Sequence, residues 1–327
     1  MLEFSYLSAK ELAEETHHQR PGTLAILGFD HRPATHLSTS VPMLMRTDLP
    51  AIGAQVAERI CDTDSSQAAA FEQLDSNTFA SSTSNWLVIS SSIKDLANTS
   101  IERVVSDQYG TVFRHLHARG FGHLIRAWHV IPSITHGDAD REIYRRFSVG
   151  RANAFRTANI HASDFPAASA VGSKARDLRM VFLASKTRPD HHENAGQSPA
   201  YEYPRQYGPV GPSFARASSM GGDVFISGTA SITGHKSRGI NDLALQIRTT
   251  LDNLNHLIQS VSESIERSVR AKHLKVYLKK PDFKEAVIAQ LSNHQRFAHL
   301  DVEREVLFAQ ADICRKELLV EIEGFAR

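Results

Sequence analysis

The sequence predicts an α+β protein made of two related units, each a mixed β-sheet with helices packed on one face. Three observations carry this. Short segments alternate apolar and polar residues with the two-residue period of a strand. Between them lie segments whose apolar residues recur every three or four positions, the single stripe of a helix with one buried face. And the order strand, helix, strand, helix, strand occurs twice, without residue-level identity between the copies.

In the first half, residues 86–90 (WLVIS) read as a strand. Ile101, Val104, Val105, Val112, Phe113 and Leu116 form a helical stripe, residues 123–131 (HLIRAWHVI) a strand, residues 140–158 a helix and Leu178–Ser185 a strand. Gly150 inside the second helix marks an interruption or close packing, since glycine costs a helix about 1 kcal/mol against alanine. In the second half, residues 223–227 (DVFIS) form a strand. Ile240, Leu243, Ile247, Leu251, Leu254, Ile258 and Val261 then give a helix of about five turns, with Asn241 or Ser237 as its cap. Leu274, Val276 and Leu278 alternate with Lys275, Tyr277 and Lys279 in a further strand. Pro281 opens another helix, residues 305–310 are a strand, and residues 317–325 close the chain. The expected units are residues 1–186 and 187–327. Between the helical halves, residues 187–212 hold five of the twelve prolines and read as a long loop of functional type. Residues 62–84, rich in serine, glutamine and alanine, read as a surface excursion.

Bulk properties narrow the function. The 327 residues are 41% hydrophobic and carry a formal net charge of +1, so no basic footprint for nucleic acid is present. Cys61 and Cys314 match neither a disulfide framework nor a zinc spacing, which fits a reducing cytoplasm. The first twenty residues lack the basic start and apolar core of a secretory signal. No apolar run approaches the roughly 20 residues that cross a bilayer. The expectation is a cytoplasmic protein with neither membrane nor nucleic acid as partner.

Several chemical signals fail on spacing. His115 and His117 lie on different faces of a helix; His123 and His129 share a strand face about 20 Å apart. No metal site is expected. The glycines of ARGFGH (118–123) lead into a strand rather than a helix N-terminus, so they cradle no phosphate. No G-x-S-x-G elbow is present. Ser169 and Ser231 read as structural, and Arg145, Arg146 and Arg151 as one basic helix face. Gly228 marks a close approach to backbone, with a ligand as the candidate neighbour.

The stretch ADICRKELLVEIEG (311–324) carries more. Residues two apart in a strand share a face, so Leu319, Glu321, Glu323 and Phe325 point one way and Leu318, Val320 and Ile322 the other. A half-solvated strand explains this most simply. The alternative is an active-site wall, where a carboxyl in an apolar setting keeps its proton and acts as an acid. The loop stretch YEYPRQYGPVGPSFAR (201–216) adds tyrosines and arginines suited to a flat, carboxylated ligand.

Taken in order, HLIRAWHVIPSI, YRRFSVGRANAF, FPAASAVGS, YPRQYGPVGPSFARA, FISGTASITGH and ADICRKELLVEIEG resemble the chorismatases, enzymes that cut or rearrange chorismate. The resemblance covers about residues 120–327. The C-terminal half also resembles the YjgF/UK114 (RidA) fold, and the resemblance implies two RidA-like units fused in one chain. It places the family's catalytic glutamate at Glu321. Chorismate bears an enol ether that is stable until its methylene carbon is protonated, so a glutamic acid on an apolar face suits the task. Its two carboxylates call for cationic partners, for which Arg151, Arg205 and Arg216 are the candidates; Tyr203 and Tyr207 would add hydroxyl donors and stack along the ring. Glu323 is the structural counterpart, towards the exit. A cysteine seven residues before the glutamate, here Cys314, resembles the subfamily that makes 3-hydroxybenzoate; a smaller residue there goes with simple hydrolysis. Overall similarity implies a bifunctional member releasing pyruvate with 3- and 4-hydroxybenzoate, without metal or organic cofactor, as a monomer or weak homo-oligomer. Two other readings stand beside this one. A RidA-like enamine or imine deaminase needs an arginine before the final strand, for which Arg304 is the nearest candidate. A non-enzymatic ligand-binding protein would not need Glu321.

Overall fold

In a computed structural model, which describes residues 1–17, 20–29, 44–94, 96 and 99–327, the strands fall into three large sheets and one small hairpin. The first sheet holds β1 (Leu2–Ser8), β2 (Thr23–Gly28), β3 (Leu44–Arg46) and β4 (Gln55–Asp62), with helix α1 (Ala9–His17) after β1. Its order is β1-β4-β2-β3.

The second sheet holds β5 (Ala70–Gln73), β6 (Thr78–Ser82), β7 (Trp86–Ile93), β8 (His123–Pro132), β9 (Ala167–Ser173) and β10 (Leu178–Ser185). Helix α2 (Ile101–Ala118) precedes β8 and α3 (Ile143–Thr157) follows it. The third holds β11 (Asp190–His192), β12 (Ala217–Met220), β13 (Asp223–Ala230), β16 (Ala271–Leu278), β17 (Val306–Gln310) and β18 (Val320–Ala326). A hairpin of β14 (Ile232–Thr233) and β15 (Lys236–Ser237), then α4 (Leu243–Ser264), separate β13 from β16; α5 (Lys284–Asn293) and α6 (Val302–Glu305) precede β17.

The orders β5-β6-β7-β10-β8-β9 and β11-β12-β13-β18-β16-β17 are the same order. In each, the sixth strand returns between the third and fourth, and the fourth and fifth are parallel. The chain therefore contains two α+β units of one topology. The helices cover one face of each sheet: α2 and α3 pack on Leu87, Ile89, Ala127 and Phe182, and α4 on Val224, Ile226, Val276 and Ile322. The opposite faces share a third cluster that joins Val88, Ile125 and Val181 to Phe225, Tyr277 and Phe325, with Leu2, Phe4 and Ile60 of the first sheet. Alternation along β18 thus sends Val320, Ile322 and Ala326 to α4, and Phe325 into this joint. Burying both faces of both sheets is the main stabilising term.

Four details differ from expectation. Residues 62–84 contain β5 and β6; all of β5 is exposed, and its edge position gave no buried face to read. Strand β9 was not legible because AASAVGS holds small residues without bulky alternation; the Gly172 amide meets the Asp312 carbonyl at 2.7 Å, an approach large side chains would hinder. Helix α4 begins at Leu243, so its cap is Asp242, whose carboxylate accepts from the Leu245 amide at 2.9 Å. Asn241 takes a left-handed φ of 62° in the preceding turn, and Ile240 is exposed outside the stripe. Gly150 does not interrupt α3. A Cβ there would lie 2.4 Å from the Glu102 carbonyl, so the glycine lets α2 and α3 touch.

Candidate active site

Strands β13 and β18 build the floor of the site. Their pairing runs Ile226 to Gly324, then Thr229 to Ile322 and Ala230 to Glu321, so β13 carries an extra residue in a bulge around Ser227 and Gly228. The Glu321 carboxyl lies over that bulge. A Cβ on Gly228 would sit 2.1 Å from Glu321 Oε1 and 3.0 Å from Ser169 Oγ. The close neighbour of the Gly228 backbone is therefore Glu321 itself. Glu321 is 4% exposed. Burial lifts its carboxyl from the ordinary 4.5 to about 8, and the nearby Glu323 charge adds to the lift against the pull of Arg126 and Arg216. At neutral pH it is a carboxylic acid.

Above this floor opens a cavity of about 360 Å³, within the roughly 300–1,000 Å³ of small-molecule sites. Three segments wall it. The start of α3 brings Glu142, Tyr144 and Arg145; the central loop brings Tyr203, Tyr207, Phe214 and Arg216; the approach to β18 brings Cys314, Arg315 and Glu317. Arg216 is buried, donates to the Ser198 carbonyl at 2.8 Å and the Tyr203 hydroxyl at 2.9 Å, and lies 3.9 Å from Glu193. Arg315 stacks on Tyr207 with its guanidinium carbon 4.1 Å from the ring centroid, and donates to the His235 carbonyl at 2.9 Å. Burial and the neighbouring Glu321 push the Cys314 thiol up to about 12, so it is a neutral thiol.

Of the residues singled out from the sequence, Glu321, Cys314, Tyr203, Tyr207, Arg216 and Gly228 all line this one cavity. Arg205 does not. Its guanidinium is 66% exposed and spans the Asp140 carboxylate, because the short 3-10 turn at Arg205–Tyr207 directs it outward. Arg151 is fully buried but stands outside the lining: Phe214, a lining residue, packs against Arg151 and Arg216 alike. Its Nε and Nη2 have no hydrogen-bond partner among the described residues. Glu323 is not towards an exit; it is buried beneath the floor, where three N–H groups hold it. Arg304 is 85% exposed on α6 and is not part of the lining.

Sequence reasoning missed Tyr144 and Arg126, and read Arg145 only as part of a basic helix face. That face does not form: Arg145 lines the cavity, Arg146 pairs with Glu102 and Arg151 is buried. Arg126 had a signal, being a lone charge in the otherwise apolar face of HLIRAWHVI; Tyr144 had none, since its place depends on how α3 meets the other unit. Arg315 stood in view beside Cys314 but was given no role.

A buried, protonated carboxyl, tyrosines and arginines line one partly open cavity suited to an anionic small molecule. The comparisons with known proteins give the family. The family model for the N-terminal part of FkbO/Hyg5-like chorismatases matches residues 64–184. A 3-hydroxybenzoate synthase of Streptomyces hygroscopicus is 35% identical over 233 residues, 66% of this chain and 67% of that protein. A chorismatase crystal structure at 1.08 Å resolution superposes with a TM-score of 0.83 at 25% identity, covering 100% of this chain and 98% of that one. Rv2704 of Mycobacterium tuberculosis, a YjgF/YER057c/UK114 family member, is similar over 35% of this chain and 85% of its own at 20% identity, with a TM-score of 0.26. The two-unit architecture rests on the chain's own strand orders instead. This chain belongs to the chorismatase family of enzymes.

Proposed function

We propose that the protein converts chorismate to pyruvate and 3-hydroxybenzoate, with 4-hydroxybenzoate as a second aromatic product, using Glu321 as the acid. The observation that carries this reading is a carboxyl group that keeps its proton at neutral pH on the floor of a cation-lined cavity. Proton transfer from Glu321 to the methylene carbon of the enol ether makes the carbon bearing the ether oxygen electrophilic. Breaking the bond between that oxygen and the ring then releases the three-carbon unit as pyruvate, while the adjacent ring hydroxyl closes onto the vacated carbon and gives its proton back to the Glu321 carboxylate. The bridged ring opens at either carbon and passes its C–H proton to the oxygen as it becomes aromatic, which gives the 3- or the 4-isomer. Atoms balance: chorismate, C10H10O6, equals pyruvic acid plus hydroxybenzoic acid.

Of the cations in the lining, Arg216 and Arg315 are each held against a tyrosine of the wall, so they are assigned to the substrate carboxylates, with Tyr203 and Tyr207 along the ring. Arg151 can serve the same end only if Phe214 moves aside. Cys314 enters as a neutral thiol on the wall, where its bulk and soft sulfur bias the ring intermediate towards rearrangement and aromatisation over capture by water. No step calls for a metal or organic cofactor.

The test is incubation of purified protein with chorismate and chromatographic resolution of the products. Pyruvate with 3-hydroxybenzoate, alone or beside the 4-isomer, supports the reading. Pyruvate with a non-aromatic diol keeps the acid role of Glu321 and removes that of Cys314. Untouched chorismate with folded protein overturns the reading.

A further inference from the structure

Beneath the cavity floor lies a second buried cluster that the proposed reaction does not use directly. Lys275 of β16 donates to Glu58 of β4 at 2.6 Å and to Glu323 Oε1 at 2.8 Å. Trp128 of β8 donates to the same Oε1 at 2.9 Å. Arg126, also of β8, donates to Glu323 Oε2 at 2.8 Å and to Ser169 Oγ at 2.6 Å. The four charged side chains are each at most 5% exposed. They come from all three large sheets and form two cations and two carboxylates.

Stability alone does not account for such a cluster. Buried ion sets lose as much in desolvation as they gain by attraction, and apolar replacements of similar volume are often at least as stable. Its location is informative. Glu323 and Glu321 are successive residues on one face of β18. Glu323 is satisfied by three N–H donors, which fixes it as a carboxylate. The groups that face Glu321 from the elements around it are Glu323 on β18, Arg126 on β8, Tyr277 on β16, Tyr144 on α3, Cys314, and Arg216 before β12. Burial keeps the two phenols and the thiol neutral, so the ionised neighbours are Glu323, Arg126 and Arg216. Arg126 is already engaged with Glu323 and Ser169.

We propose that Glu323 is a positioning residue for the catalytic proton: pinned in the ionised form by Lys275, Arg126 and Trp128, it sets a fixed negative charge beside Glu321 that opposes loss of the Glu321 proton. Through Glu58 and Lys275 the N-terminal sheet takes part in this arrangement. The inference rests on Glu321 being the acid.

The experiment follows the carboxyl resonances of protein labelled with carbon-13 at the glutamate side-chain carboxyls, together with the pH profile of kcat/KM. The Glu321 signal is identified by its loss in Glu321→Gln. Glu323→Gln removes the fixed charge, so Glu321 should titrate lower by about one pH unit, and the alkaline fall in kcat/KM should move with it. Lys275→Gln removes a cation that pins Glu323, so the Glu323 signal should titrate at higher pH than in wild type. A merely structural role lowers Tm in these variants and moves neither readout. If a variant fails to fold, the wild-type titration still decides: Glu323 must stay ionised throughout the range in which Glu321 titrates, and a Glu323 signal that titrates with Glu321 or above it overturns the proposal. Full turnover by Glu321→Gln would instead remove the acid assignment, while the shift of the Glu321 resonance in Glu323→Gln would still judge the coupling.

Discussion

The Glu321 carboxyl occupies the space where a side chain on Gly228 would be, with Oε1 2.1 Å from the position of such a Cβ. The position of the carboxyl and a glycine are thereby tied together across a bulged strand pair. Gly228→Ala should fold, because the atom it displaces is the end of a flexible side chain. Moving an acid by about 1 Å costs roughly 10²-fold in rate. The expected result is a loss of that size in kcat with little change in Tm; an unchanged kcat would show that Glu321 tolerates displacement and does not act from this position.

Glu321→Gln should lower turnover by about 10²-fold or more, the usual contribution of a general acid. It should also stabilise the protein at neutral and alkaline pH. The Glu321 carboxyl titrates near 4.5 when unfolded and about 8 when folded, so the unfolded state binds fewer protons between these values. The stability linked to Glu321 is complete below 4.5 and is lost as pH rises through 8. Glutamine has no such loss. Melting curves should place the variant's Tm above wild type at pH 8, with the difference vanishing near pH 4.

The same protonation sets the activity profile. The proposed mechanism requires the acid form, so kcat/KM should be steady below neutral pH and fall tenfold per unit once pH exceeds about 8. A profile that instead falls on acidification through neutral pH would make Glu321 a base and reverse its assigned role.

Cys314→Ala enlarges the wall without adding charge, since the thiol is neutral. Chorismate consumption should persist while the products move away from 3-hydroxybenzoate, as resolved by chromatography. An unaltered product ratio would leave Cys314 as packing alone.

The arginines separate by place. Arg216→Ala removes a buried donor in the cavity wall, and KM for chorismate should rise about tenfold or more. Arg205→Ala opens only an exposed, solvent-screened pair with Asp140 outside the cavity lining, so KM should stay within about twofold. Initial-rate kinetics on both variants distinguish them, and a reversed order would return Arg205 to the site.

Much of the fold was legible where residues declare a buried face. The stripe Ile247, Leu251, Leu254, Ile258 and Val261 is buried along one side of α4, and the alternation of Leu274, Val276 and Leu278 is buried in β16. The four-stranded first sheet, with the exposed β5 and the small-residue β9, gave weaker signals. For the site, the face carrying Glu321 and Glu323 followed from the period of a strand, and the motif order placed Cys314, Tyr203, Tyr207 and Arg216 in one region.

Local sequence therefore determined the two-unit α+β architecture and the paired carboxylates on one strand face, because side-chain alternation and helical period are properties of the chain itself. Tertiary structure decided which carboxyl keeps its proton. Glu321 and Glu323 are the same residue type on the same face; one meets three N–H donors and is held ionised, the other meets a glycine bulge under the cavity and keeps its proton. That difference comes from Trp128 and Arg126, 195 and 197 positions away on another sheet, and from Lys275, 48 positions away on the neighbouring strand, and no local pattern in the chain encodes it.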